Sequence, residues 1–132
     1  TDKIKPRGNS MARYEHLPIY KAAYDLFIES LQITKTFPRD YRYTLGEHFH
    51  NTAIDLLKSV YKTNSVKNKS DSLKELLYFA QEMGILIRAA HDLKIMADNR
   101  FLAMIEKRDN IEKQATGWLK SFENNAGISS SV

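Results

Sequence analysis

The chain of 132 residues is long enough for one domain and too short for two domains of ordinary size. With 42% hydrophobic and 27% charged residues, its composition is that of a globular protein and excludes an intrinsically disordered chain. No apolar run approaches the roughly 18 residues that span a bilayer, and the absence of cysteine excludes disulfides, thiolate metal sites and a catalytic thiol. We therefore expect a protein of the reducing cytoplasm without membrane association.

The N-terminal ten residues differ from the rest in composition. Residues 1–10 are polar, contain proline and glycine, and stop before Met11, so we interpret them as an added segment or linker ahead of a natural start. Half of the net charge of +4 comes from four residues of this segment, Asp2, Lys3, Lys5 and Arg7. The remaining charge is too small to indicate nucleic-acid binding by itself, so any basic surface must arise from clustering.

The first predicted helix runs from Pro18 to about Lys35. Proline suits the first helical position because its missing N–H needs no partner there. Apolar and small residues then recur at i, i+3, i+4 and i+7, which is the pattern of one buried helix face. Phe37-Pro38 ends this helix, because a residue before proline avoids the α region.

The second predicted helix begins between Arg39 and Thr44 and continues to about Tyr61. Two start signals compete: Pro38 in the first turn, or a capping box formed by Thr44 with the glutamate three residues later. We favour the earlier start because apolar residues already lie at i, i+4 spacing there. Gly46 then lies inside the helix at a cost of about 1 kcal/mol relative to alanine, which indicates a close approach between helices.

Residues 63–72 are polar and predict a loop before a third helix. Ser72 with Glu75 matches a capping box, with Ser70 as the alternative N-cap. The third predicted helix runs from about Leu73 to Met96. It is apolar nearly all round, which indicates burial on more than one side, as at a subunit interface.

The fourth predicted helix runs from about Asn99 to Phe122, with Asp98 as its cap and Arg108 interrupting its apolar stripe. Residues 124–132 predict a flexible tail, which leaves residues 11–123 as the folded domain. Four amphipathic helices with short or medium connections predict an all-α fold, an antiparallel up-down-up-down four-helix bundle.

The residues that carry catalysis or bind cofactors in other proteins do not form a recognisable site here. The two histidines nearest each other in the sequence, His48 and His50, are two residues apart and face different sides of a helix. Zinc-binding helices instead place their two histidine ligands four residues apart. Glu-x-x-His spacing occurs once, as Glu47 with His50, whereas a di-iron bundle needs such a pair on each of two helices; no nucleophile elbow or phosphate-binding glycine loop occurs. We expect neither an enzyme nor a bound metal or cofactor.

A cluster of basic residues is the one remaining sequence feature that indicates a function. The stretch 39–69 has six bases against three acids, and three tyrosines lie among the bases. Such a surface binds phosphates through its cations and stacks unpaired bases on its rings, although a merely solvated face has the same composition. The candidate phosphate contacts in this stretch are Arg39, Arg42, Lys58 and Lys62.

Four segments, in order, resemble a known family of bacterial four-helix proteins. They are L-P-I-Y-K-A-A-Y-D-L (17–26), T-F-P-R-D-Y-R-Y-T-L-G (36–46), L-I-R-A-A-H-D-L-K (86–94) and Q-A-T-G-W-L-K (114–120). Together they resemble the accessory variability determinant (Avd) proteins of diversity-generating retroelements. These proteins are related to those encoded by intervening sequences in bacterial 23S rRNA genes. The resemblance covers about residues 17–122.

The resemblance implies a four-helix bundle that assembles as a homopentamer, without catalytic activity. It implies a reverse transcriptase as partner, and binding of template RNA and of cDNA in support of mutagenic reverse transcription. Arg88 matches a basic position of the family and is the fifth candidate phosphate contact, while Gly84 stands one turn earlier where a second basic residue is expected. The relatives from ribosomal RNA genes leave an alternative open: a structural oligomeric adaptor that binds only protein.

Overall fold

The computed structural model describes residues 15–130, with side chains described as far as Ala126. These residues form five α-helices and no strand: α1 (Pro18–Thr34), α2 (Arg39–Arg42), α3 (Leu45–Ser65), α4 (Ser70–Asp92) and α5 (Asp98–Ser130). Four of the helices are long, which confirms the predicted all-helical bundle. The linker predicted at residues 1–10 lies outside the described residues. Within 15–130, no helix combines the length and apolar character that crossing a membrane requires.

The four long helices enclose one apolar core. α1 packs against α3 and α5, and α4 packs against the same two helices, so α1 and α4 lie diagonally across the bundle. The stripe predicted for the first helix is the buried face of α1, and each long helix contributes leucine, isoleucine or methionine side chains to the core. Burying each of these large side chains stabilises the fold by about 1.5–3 kcal/mol.

The chain turns sharply after α1, as the proline predicts. Phe37 is buried, and its ring packs edge-on against Phe49 of α3 with centroids 5.6 Å apart. The His50 Nε2 lies 2.6 Å from the Thr34 hydroxyl oxygen, which links the end of α1 to α3. These contacts fix the position of the connection between the two helices.

The early start favoured for the second helix is wrong, because the chain breaks between α2 and α3. Thr44 has φ −117° and ψ −87°, outside the helical region, and its hydroxyl donates to the Asp40 carbonyl at 3.2 Å. The Thr44 side chain forms no capping hydrogen bond with α3, so the alternative capping box is absent as well. A Cβ on Gly46 would lie 3.4 Å from the Tyr41 carbonyl oxygen and 3.7 Å from Thr34 Cβ, which is ordinary van der Waals contact, so the close approach expected at this glycine is not tight enough to require it.

The loop between α3 and α4 is shorter than predicted. It comprises residues 66–69, and the Lys69 ammonium donates to the carbonyls of Thr63 (2.9 Å) and Val66 (2.6 Å). A cation at the carboxyl end of a helix binds the carbonyls that lack a helical partner, so Lys69 holds this turn closed. α4 therefore begins at Ser70, and the predicted start at Leu73 with a Ser72 cap is wrong because Ser72 is buried within the helix.

The connection between α4 and α5 also begins earlier than predicted. α4 ends at Asp92 rather than near Met96, because Lys94 adopts a left-handed conformation with φ 62°. The Lys94 N–H donates to the His91 carbonyl and the Ile95 N–H to the Ala90 carbonyl, both at 3.0 Å. This pair of bonds is a Schellman motif, which stops a helix. At the other end, α5 continues to Ser130, beyond the predicted end at Phe122; flexibility of residues 124–132 stays a prediction.

Candidate nucleic-acid interface

All five predicted phosphate contacts have exposed side chains, but they lie on three different helices. Two are on α2 and two on α3, while Arg88 is on α4. None of the five contributes to the apolar core, so each can reach a ligand without unfolding. Which of them share one surface depends on the faces of the helices that carry them.

Lys58 and Lys62 lie together, as their spacing predicts. Both line a shallow cleft of about 190 Å³ between α3 and α4, together with Asp55, Glu75 and Phe79. The Lys62 ammonium lies 3.5 Å from a Glu75 carboxylate oxygen, and both side chains are exposed. The negative charge of Glu75 offsets part of the positive charge of Lys62, although an exposed ion pair of this kind is worth only about 0–1 kcal/mol. Lys58 has no ion pair within residues 15–130.

The two arginines of α2 lie at the bundle end where α1 passes into α3. No residue of α2 is buried, so this single turn is a projection on the surface. The Arg42 guanidinium donates to the Phe37 carbonyl at 3.3 Å, and neither arginine forms an ion pair within the described part of the chain. Asp40 is the acid between them. The turn therefore carries two cations that remain accessible to an anionic ligand.

Arg88 does not share the cleft of Lys58 and Lys62. Phe79 lines that cleft, and Arg88 follows it by nine residues on the same helix. At 3.6 residues per turn, nine residues rotate the direction by about 180°, so Arg88 points away from the cleft. The structure therefore divides the predicted cations into separate surfaces. A nucleic acid that contacts both must wrap around α4.

The sequence did not predict the part played by Arg108, a buried cation. Its side chain lies between α5 and α4, where the guanidinium donates to the Ala80 carbonyl at 3.1 Å and to Asp109 and Glu112. Burial lowers the pKa of Arg108, but the hydrogen bonds and charges of the two carboxylates outweigh burial and raise the pKa above its ordinary value. Arg108 is therefore a charged structural residue.

Gly84 makes room for that arginine. A Cβ at position 84 would lie 3.1 Å from Arg108 Cδ and 3.5 Å from its Nε. A larger side chain at this position would displace the arginine, which accounts for the glycine where a second basic residue was expected. The sequence signal for this contact was an arginine interrupting the apolar stripe of one helix opposite a glycine in the middle of another.

Two of the histidines have structural partners. The His91 Nε2 lies 2.7 Å from an Asp98 carboxylate oxygen, and its ring stacks on Phe101 with centroids 4.1 Å apart. His50 contacts Thr34 as described above. In the part of the chain that the structure describes, no group of three or more histidine, cysteine, aspartate or glutamate side chains is arranged to hold a metal ion.

The fold and the charges define the class of protein: a small bundle of four long helices with accessible cations on several faces. A model of the family described as bAvd-like matches residues 18–122, which is most of the chain. The chain therefore belongs to the bAvd-like family, as its resemblance to Avd proteins implied. Comparison with curated proteins and with solved structures finds no match. Membership supports a general accessory role of the Avd type, in a family that is generally non-catalytic.

Proposed function

We propose that the protein is a non-enzymatic accessory factor of a bacterial diversity-generating retroelement, acting in the cytoplasm. It binds the element's reverse transcriptase together with template RNA, and cDNA as it forms, and thereby supports mutagenic reverse transcription. The observation that carries this proposal is the family match over residues 18–122. The accessible cations on α2, α3 and α4 support the nucleic-acid part of it.

The cations act as phosphate contacts that position the nucleic acid without reading its sequence. Arg39 and Arg42 bind at the end of the bundle, Lys58 and Lys62 bind along the α3–α4 cleft, and Arg88 binds on the other side of α4. This arrangement suits a flexible strand or a folded RNA that follows the protein surface. Because each contact releases counterions, the affinity falls as salt rises.

The test is binding of fluorescein-labelled structured RNA, measured by anisotropy from low to physiological salt. The expected result is a linear fall of the logarithm of affinity with the logarithm of salt, with a slope of about −0.7 to −0.9 per phosphate contacted. Lys58→Glu with Lys62→Glu should weaken binding and flatten the slope, and Arg88→Glu should do so independently. The exposed Lys113 of α5 provides the matched control for Arg88→Glu, since Lys113→Glu makes the same change of charge at a position outside the proposed contacts.

A second candidate, a structural oligomeric adaptor that binds only protein, is favoured by the exposed apolar side chains of α4 and α5. Ile85 is 67% exposed and Leu102 is 64% exposed on these adjacent helices. Absence of RNA binding at low salt, with retained binding to the reverse transcriptase, would select this candidate over the first.

For either candidate we propose a homopentamer of antiparallel up-down-up-down bundles. Support for the helix order comes from the contacts at the two ends of α4. His91 near its end contacts Asp98 at the start of α5, whereas Ser70 at its start donates to Glu123 far along α5 at 3.3 Å. Support for self-assembly comes from Ile85 and Leu102, because a second copy would cover them.

A further inference from the structure

Tyr43, one of the tyrosines in the basic stretch 39–69, is largely exposed to solvent. Its exposed fraction is 69%, higher than that of any other large hydrophobic side chain among the described residues. The two other tyrosines of the basic stretch, Tyr41 and Tyr61, are half-buried against the bundle. Of the three rings that the sequence places among the cations, Tyr43 is therefore the one that presents its faces to solvent.

The backbone that carries Tyr43 is held in place. The N–H groups of Tyr41 and Arg42 donate to the Pro38 carbonyl at 2.9 and 3.1 Å, and the Thr44 hydroxyl donates to the Asp40 carbonyl. The buried Phe37 anchors the start of the same turn in the core. A side chain on a pre-ordered backbone loses less conformational freedom when it binds a ligand, so this mounting favours binding.

Cations lie near Tyr43 along the chain. From residue 35 to residue 43 the chain carries Lys35, Arg39 and Arg42 against the single acid Asp40. None of these four side chains forms an ion pair within residues 15–130. The turn thus combines an exposed aromatic ring with an excess of accessible positive charge, the combination that single-stranded nucleic acids bind.

We propose that the turn of α2 with Tyr43 is a binding site for an unpaired nucleotide of a single strand. The Tyr43 ring stacks on the base, and Arg39 and Arg42 bind phosphates of the adjoining backbone. The bases of a duplex are covered by their neighbours, so Tyr43 cannot stack within one. This inference rests on the proposed nucleic-acid function and assigns it a ligand class, a single-stranded segment.

The experiment compares two fluorescein-labelled probes, a short oligouridine and a blunt-ended duplex RNA without unpaired nucleotides, on the wild type and three variants. Tyr43→Ser removes the ring, and Tyr43→Phe keeps it. Tyr24→Ser is the matched control, because Tyr24 is a 45% exposed tyrosine of α1 whose neighbouring cation, Lys21, is paired with Asp25 at 3.4 Å. Circular dichroism and light scattering establish that fold and assembly are unchanged.

The expected result is a loss of about ten-fold in affinity for oligouridine in Tyr43→Ser, within the range for loss of one base–aromatic stack. Affinity for the duplex should stay unchanged, and both Tyr43→Phe and Tyr24→Ser should bind like the wild type. Equal affinity of Tyr43→Ser and wild type for oligouridine would overturn the inference, as would an equal loss on both probes. Failure of the wild type to bind either probe would instead overturn the proposed function, and the inference with it.

Discussion

Arg108 of α5 crosses α4 at Gly84, so closely that a methyl group on Gly84 would lie 3.1 Å from Arg108 Cδ. The arginine has little freedom to move away, because its guanidinium is bound to the Ala80 carbonyl and to the carboxylates of Asp109 and Glu112. The α4–α5 interface therefore depends on a glycine and an arginine acting as a pair.

Gly84→Ala should lower the free energy of unfolding by about 1 kcal/mol, because the clash with Arg108 outweighs the gain in helix propensity. Gly117→Ala is the matched control in α5. No atom lies within 4 Å of a Cβ at Gly117, so that substitution should stabilise the protein by up to about 1 kcal/mol. Urea unfolding at one protein concentration measures both. Equal stabilisation by the two substitutions would contradict the close contact.

Arg108→Ala should destabilise the protein by about 2–4 kcal/mol, since it leaves a cavity in the α4–α5 interface and removes the bonds to Ala80, Asp109 and Glu112. Arg108→Met should cost about 1 kcal/mol or less, because methionine fills the space without a charge to desolvate. The raised pKa of Arg108 means that its contribution is fully present below the ordinary arginine pKa and is lost only as the pH rises beyond that value. Thermal unfolding at two pH values near neutrality should therefore show Arg108→Ala to be less stable than Arg108→Met at both.

Glu75→Gln should raise affinity for RNA by about two- to five-fold at low salt, if the protein binds nucleic acid as proposed. The substitution releases Lys62 from its exposed ion pair and removes a negative charge from the α3–α4 cleft. Fluorescence anisotropy measures the RNA affinity of Glu75→Gln and of Glu106→Gln, which removes the same charge from α5. The comparison separates an effect of the cleft from an effect of net charge. The gain should disappear at high salt, and equal affinities of the two variants would show that the cleft does not contact RNA.

Ile85→Asp combined with Leu102→Asp should dissociate the proposed pentamer. Burying each of these side chains in an interface contributes about 1.5–3 kcal/mol, and a carboxylate in its place must be desolvated. Both side chains are exposed in the single chain, so its fold should survive. Sedimentation velocity measures the assembly state, and Tyr43→Ser is the control, because it alters a residue of similar exposure just after α2. Retained assembly in the double variant would place the interface elsewhere.

The positions of the turns show how far sequence patterns could predict this fold. Phe37-Pro38 correctly predicted the end of α1, because the restriction that proline imposes acts on neighbouring residues alone. The end of α4 could not be read in the same way, because Lys94 is a non-glycine residue in a left-handed conformation. Likewise, Lys69 closes the α3–α4 turn through carbonyls that become available only when α3 ends where it does.

Some features of the candidate site likewise follow from the sequence alone, and others depend on the tertiary structure. The sequence by itself determined that the chain is all-helical, which residues form its apolar faces, and that Lys58 and Lys62 lie side by side, because helical periodicity is a local property. Only the tertiary structure decided that Arg88 points away from that pair, that Arg108 is buried against Gly84, and that Tyr43 rather than Tyr41 presents its ring to solvent. Those outcomes depend on which helix faces pack against each other, and packing joins residues that are far apart in the chain.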